Sequence, residues 1–169
     1  MSEKKESQFV QLLEDNKYRI LRICQVYAQC AEDQQDLYQE IVLELWKSFD
    51  TIHDLAYTNT WFFRVALNVS MQFRRKSRLR KKRSIDSIQF IAQSATAQES
   101  IEKQELKNQL YACIALLEES NRAIVLLHLE GVANQQIAEI MGLSDNHTAI
   151  KLKRIREKLK VCLKQQEVC

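Results

Sequence analysis

The sequence predicts an all-α protein of two small helical domains joined by a flexible linker, the second a four-helix domain containing a helix-turn-helix. Two observations carry this. The chain of 169 residues has no proline and two glycines, where average usage gives roughly eight and twelve. Its long stretches of Leu, Glu, Lys, Gln, Arg and Ala are those of helices closed by short polar loops. Folds that need many tight turns, and glycine-rich phosphate cradles, are therefore excluded.

The elements follow from apolar spacing. Residues 7–29 place Phe9, Leu12, Leu13, Ile20, Ile23, Cys24 and Tyr27 on one helical face. Asp33 is a candidate cap for a second helix reaching about Phe49, with Leu37, Ile41 and Leu45 as its buried stripe. A polar loop, Asp50 to Asn59, precedes a third helix from about Thr60 that buries Phe62, Val65, Ala66, Val69 and Phe73. The Ser-, Gln- and Ala-rich segment 84–103 reads as a linker between a first domain, 1–83, and a second, 104–169. Beyond about residue 101, four helices are expected near 101–117, 119–130, 134–141 and 145–165. Gly131 and Gly142 stand at helix ends, where a left-handed residue closes a helix at little cost.

Charge lies in blocks. Residues 30–60 hold seven acids against one base, Lys47; residues 64–83 hold nine bases and no acid; residues 151–164 hold seven bases and Glu157. Such segregation points to a polyanion contacted at two places and a basic partner for the acidic segment. Neither a secretory signal nor a membrane span fits the apolar runs, so a cytoplasmic protein without membrane insertion is expected. The five cysteines have no C-x-x-C spacing and read as buried or free thiols. No catalytic constellation or metal-ligand spacing emerges, so neither enzyme activity nor a cofactor is expected.

Three faces are candidate sites. The segment 134–160 has helix-turn-helix layout: Ala138 is small where helices approach, Gly142 makes the turn, and Ser144 can cap the second helix. Thr148, Leu152, Ile155 and Leu159 face the core. Asn146, His147, Ile150, Lys153 and Arg154 face away, with the donors a major-groove reader needs. On the third helix, Trp61, Arg64, Asn68, Met71 and Arg75 form a stripe of aromatic, amide and cation suited to opened DNA. Trp61 and Phe63 are, by type and spacing, more often core residues than base platforms. Residues 74–83, beginning with Arg74, carry eight bases in ten residues. As a helix they present a charge per roughly 1.9 Å, near the phosphate spacing of about 1.7 Å in duplex DNA. On the second helix, Asp36, Gln39, Glu40 and Leu43 make an acidic stripe around an exposed leucine, either a protein-binding face or a solvated one.

The runs DLYQEIVLELWKSF (36–49), WFFRVALNVSMQFRRKSR (61–78) and the segment 116–159 resemble, in order, the sigma-70 family of bacterial RNA polymerase initiation factors. The two-block layout is similar to its short extracytoplasmic function (ECF) subgroup, which has regions two and four alone. The resemblance implies that Asp36, Gln39, Glu40 and Leu43 bind the basic coiled-coil clamp of core RNA polymerase. It implies that Trp61, Arg64, Asn68, Met71, Arg74 and Arg75 melt and read the minus-ten element. Ala149, Ile150, Lys153 and Arg154 match positions that face the minus thirty-five element, and Asn146 and His147 share that exposed face. Core polymerase and promoter DNA are the implied partners, with an anti-sigma protein as a further one. Glu118 stands where the family commonly has proline, Thr148 where valine is usual, and Ala149 and Ile150 lack polar groups that many members carry. Two readings without polymerase compete: an autonomous helix-turn-helix regulator that binds a symmetric operator, and a helical adaptor with incidental basic surfaces.

Overall fold

The structure, a computed structural model, describes residues 2–81 and 100–167. The described residues form α-helices and two 3-10 turns, without strands. They belong to two compact units, one within 1–88 and the other within 89–169.

The N-terminal unit packs three helices: α1 (Ser2–Tyr27), α2 (Ala31–Ser48) and α3 (Thr58–Lys81). The stripe Leu37, Ile41 and Leu45 is fully buried, as are Ile20, Ile23, Phe62 and Ala66 of the helices packed around it. Each such aliphatic side chain contributes about 1.5–3 kcal/mol relative to exposure. Leu12, Leu13, Val65 and Val69 are only half-buried, whereas Phe63 and Leu67 are core. Helix α2 is capped by Cys30, not by Asp33: the Cys30 Sγ accepts from the Asp33 backbone N–H at 3.5 Å. The helix begins at Ala31, so Asp33 lies within its first turn, where its charge still opposes the positive helix end.

The segment between α2 and α3 holds the two 3-10 turns, Phe49–Thr51 and Leu55–Tyr57. An aromatic chain fastens it: Phe9 lies edge-on to both Trp46 and Phe49, and Phe49 meets Trp61 at 6.3 Å. Lys5 adds an ion pair to Asp50 at 2.6 Å and stacks over Trp46. Arg19 donates to both Asn16 and Asn59, which ties the start of α3 to α1.

The C-terminal unit contains α4 (Ile101–Ala115), α5 (Glu119–Leu129), α6 (Asn134–Met141) and α7 (Asp145–Glu167). Of the segment 84–103, residues 84–99 lie outside the described residues; Ser100 caps α4, and Ile101 to Lys103 are its first turn. Both glycines have positive φ, 78° at Gly131 and 67° at Gly142. After each, the next residue's N–H reaches back across the helix end, Val132 to Leu127 and Leu143 to Ala138. This closes α5 and α6 in the manner of a Schellman cap.

Two features of this unit depart from sequence expectation. Cys113, buried in the last turn of α4, is disulfide-bonded to the half-buried Cys162 of α7 across a Cα separation of 6.0 Å. The expectation of free thiols fails for this pair because folding joins cysteines 49 positions apart. Arg122 on α5 is 1% exposed and donates to the Ala115 and Leu117 carbonyls at 3.1 and 2.6 Å. Its guanidinium thus donates to carbonyls at and just beyond the end of α4.

Candidate functional site

The helix-turn-helix is built from α6 and α7. Ile137 and Ala138 are buried, and the left-handed Gly142 (φ 67°, ψ 35°) turns the chain. The Ser144 Oγ then accepts from the His147 N–H at 3.2 Å as the α7 cap. Thr148, Leu152, Ile155 and Leu159 are buried, with the Thr148 hydroxyl donating to the Ser144 carbonyl. This fixes the rotation of α7 and turns Asn146, His147, Ala149, Ile150, Lys153 and Arg154 outward, all exposed. Two bases of the block have a structural use. Lys151 reaches Asn121, and Arg156 donates to the His128 Nε2 at 3.0 Å, both on α5.

On α3, Arg64, Asn68 and Arg75 are exposed and Trp61 and Met71 half-buried, at helical spacing along one side. Trp61 leans on Phe49, so it is neither fully core nor a free platform, while Phe63 is core. Arg74, the first base of the basic run, is half-buried and donates to the Val26 carbonyl at 3.4 Å, near the end of α1. At 100° per residue it lies beside Arg75 but toward α1. The basic run is helical to Lys81; Lys82 and Arg83 lie outside the described residues. Tyr57 stands exposed in the turn before α3, and the Asp54 carboxylate accepts from the Ala56 N–H to shape that turn.

On α2, Asp36, Gln39, Glu40 and Leu43 share one face, with Leu43 52% accessible. Sequence periodicity identified Leu43 and missed its company. Val10 of α1, 56% exposed, joins Tyr38, Val42, Leu43 and Trp46 along an apolar groove bordered by Glu6 and Gln39. The available signal was Val10, an apolar side chain on the outer face of a charged helix. Burial raises the Tyr38 phenol above its ordinary range, with Cys24 and Glu14 adding to the effect. Cys24 sits below in the core, where desolvation pushes its thiol up to about 12. The described residues contain no cluster of His, Cys, Asp and Glu able to hold a metal ion. None of their helices is long and apolar enough to cross a membrane.

An acidic, apolar-centred face and two cationic faces thus coexist on one chain. Family comparison matches sigma-70 region 2 over residues 12–80 and sigma-70 region 4 over residues 107–159. The chain is similar to the probable RNA polymerase sigma factor RfaY of Xanthomonas campestris pv. campestris, 27% identical over 127 residues, 72% of this chain. It spans about a third of that relative, 32% of its length. It is also similar to the RNA polymerase sigma factor SigV of Bacillus subtilis, 21% identical over 94% of this chain and 93% of that protein. Among solved structures, the sigma factor RpoE bound to the anti-sigma factor NepR from Bartonella quintana superposes with a TM-score of 0.72 at 19% identity. That match covers 93% of this chain and 97% of that one. CnrH in complex with the cytosolic domain of CnrY gives 0.68 at 17% identity, covering 95% and 90%. With both regions in order, two sigma factors among its relatives and the fold of a solved sigma factor, the chain belongs to the sigma-70 family and carries ECF-type regions 2 and 4.

Proposed function

We propose that this chain is a polymerase-borne promoter selector in which α2 binds core RNA polymerase, α3 engages the minus-ten element and α7 reads the minus thirty-five element. It supplies recognition and strand opening, while the polymerase performs the chemistry. The observation that carries this reading is the coexistence on one chain of the Asp36–Glu40 face and two outward cationic faces. Carboxylates around an exposed leucine suit a basic helical partner with an apolar seam. Arg64, Asn68 and Arg75 offer phosphate and base donors beside Trp61 and Tyr57, the combination that holds unpaired strands. The exposed α7 residues lie in its first three turns, the part of a recognition helix that reaches base edges.

The likeness to a sigma factor solved with NepR supports a further regulatory partner, an anti-sigma protein, competing for these faces. An autonomous regulator would bind its operator without polymerase, and an adaptor would show no salt-dependent DNA affinity.

The test is core binding. Asp36→Lys combined with Glu40→Lys reverses two charges on the outer face of α2, away from its buried stripe. It is expected to lower affinity for core polymerase at least tenfold with the helical signal unchanged. Unchanged affinity overturns the assignment of α2.

A further inference from the structure

Along the outward face of α7 one residue differs in kind from its neighbours. Ile150 is 42% exposed. At 100° per residue it stands almost diametrically opposite the buried stripe of Thr148, Leu152, Ile155 and Leu159. It is therefore at the crest of the helix. Its neighbours three and four positions away are His147, Lys153, Asn146 and Arg154, all polar and exposed. An aliphatic side chain at the crest, ringed by donors, gains nothing in the free protein and is not needed to hold α7 in place.

In the major groove the four base pairs differ in donor and acceptor pattern, and the A·T pair alone adds an apolar feature, the thymine 5-methyl group. An α-helix seated there meets bases through its first turns, and Ile150 is in the second turn of α7. The surrounding amide, imidazole and cations can hold phosphates and purine edges, which leaves the branched aliphatic side chain to cover a methyl. We propose that Ile150 is a specificity-determining residue that reads a thymine methyl in the upstream promoter element. The inference rests on the proposed function of α7 and names the base chemistry it selects.

The experiment uses holoenzyme assembled from bacterial core polymerase and the full chain. It first selects upstream elements from a promoter library randomised over that region, and thymine is expected to be enriched at one position. Replacing that thymine with deoxyuridine keeps the pairing edge and removes only the methyl. Promoter affinity is expected to fall about fourfold with the native chain, the equivalent of one methyl returned to water. With Ile150→Ala the same replacement is expected to have a much smaller effect, because most of the methyl's apolar partner has gone. Since Ile150 is exposed and alanine favours helix, that variant keeps its fold. Upstream protection with no enriched thymine, or an equal uracil effect in both proteins, overturns this inference and leaves the proposed function standing. Absence of any upstream protection by the native holoenzyme overturns both.

Discussion

Breaking the Cys113–Cys162 bond is expected to loosen the C-terminal unit and leave the N-terminal one untouched. Helix α4 contributes only Cys113 and Ile114 as buried residues, both in its last turns. The covalent link to α7 is therefore a large share of what holds it. The bond closes a segment of 49 positions. Loop-closure entropy for that length amounts to about 4 kcal/mol at 25 °C, at the upper end of the roughly 2–4 kcal/mol typical of native disulfides. For a unit of this size each kcal/mol moves the melting temperature about 4–8 °C, so reduction should lower it by roughly 10–30 °C. The assay can separate the units because both tryptophans, Trp46 and Trp61, lie in the N-terminal one. Melting is followed by helical ellipticity and by tryptophan fluorescence, with and without a dithiol reductant, on the native chain and on Cys162→Ser. Reductant should shift the ellipticity transition, leave the fluorescence transition in place, and have no further effect on Cys162→Ser. Native protein in which both cysteines alkylate without reductant, or a C-terminal transition indifferent to reduction, would refute the reasoning.

Other outcomes follow from single groups. Arg122→Leu removes the two hydrogen bonds to the Ala115 and Leu117 carbonyls and should destabilise the C-terminal unit by about 1–3 kcal/mol in urea unfolding. The Cys24 thiol has its pKa raised from 9.0 to about 12 in the folded state, so the unfolded chain releases this proton first as pH rises. Its contribution to stability is whole below about pH 9 and is lost toward pH 12, at up to about 1.4 kcal/mol per unit. Cys24→Ala should flatten that alkaline decline in a pH series of unfolding curves. Lys153→Ala with Arg154→Ala should weaken upstream protection by holoenzyme and reduce the salt slope of promoter binding by about 0.9 for each phosphate these side chains neutralise.

How much of this was legible beforehand depended on whether the signal was periodic. Leu37, Ile41 and Leu45, or Leu152, Ile155 and Leu159, announce a buried helical stripe by spacing alone, and the structure buries them all. The outward sides of α2 and α7 follow from those stripes by rotation. Gly142 was readable because a left-handed residue between two helices leaves few alternatives. Side-chain partners on other elements carry no such periodicity. Arg74 sits in a row of bases and reads as one more phosphate ligand, yet it turns toward the Val26 carbonyl. Arg122 stands at the head of an apolar run with no spacing signal to mark it, and it is buried against a helix end. Cys30 caps α2 although a thiol is a weak acceptor and Asp33 the stronger candidate by type. The groove beside Leu43 needed α1 to be placed before Val10 could join it.

The central claim is that this chain lends core polymerase its choice of promoter. Run-off transcription tests it most directly, using purified bacterial core polymerase, the full chain, and a fragmented genomic library from the organism that carries it. The account expects discrete transcripts that require the chain, with protection of two upstream elements on the template only when chain and core are both present. No chain-dependent transcript, or equally specific protection by the chain without core, would contradict it.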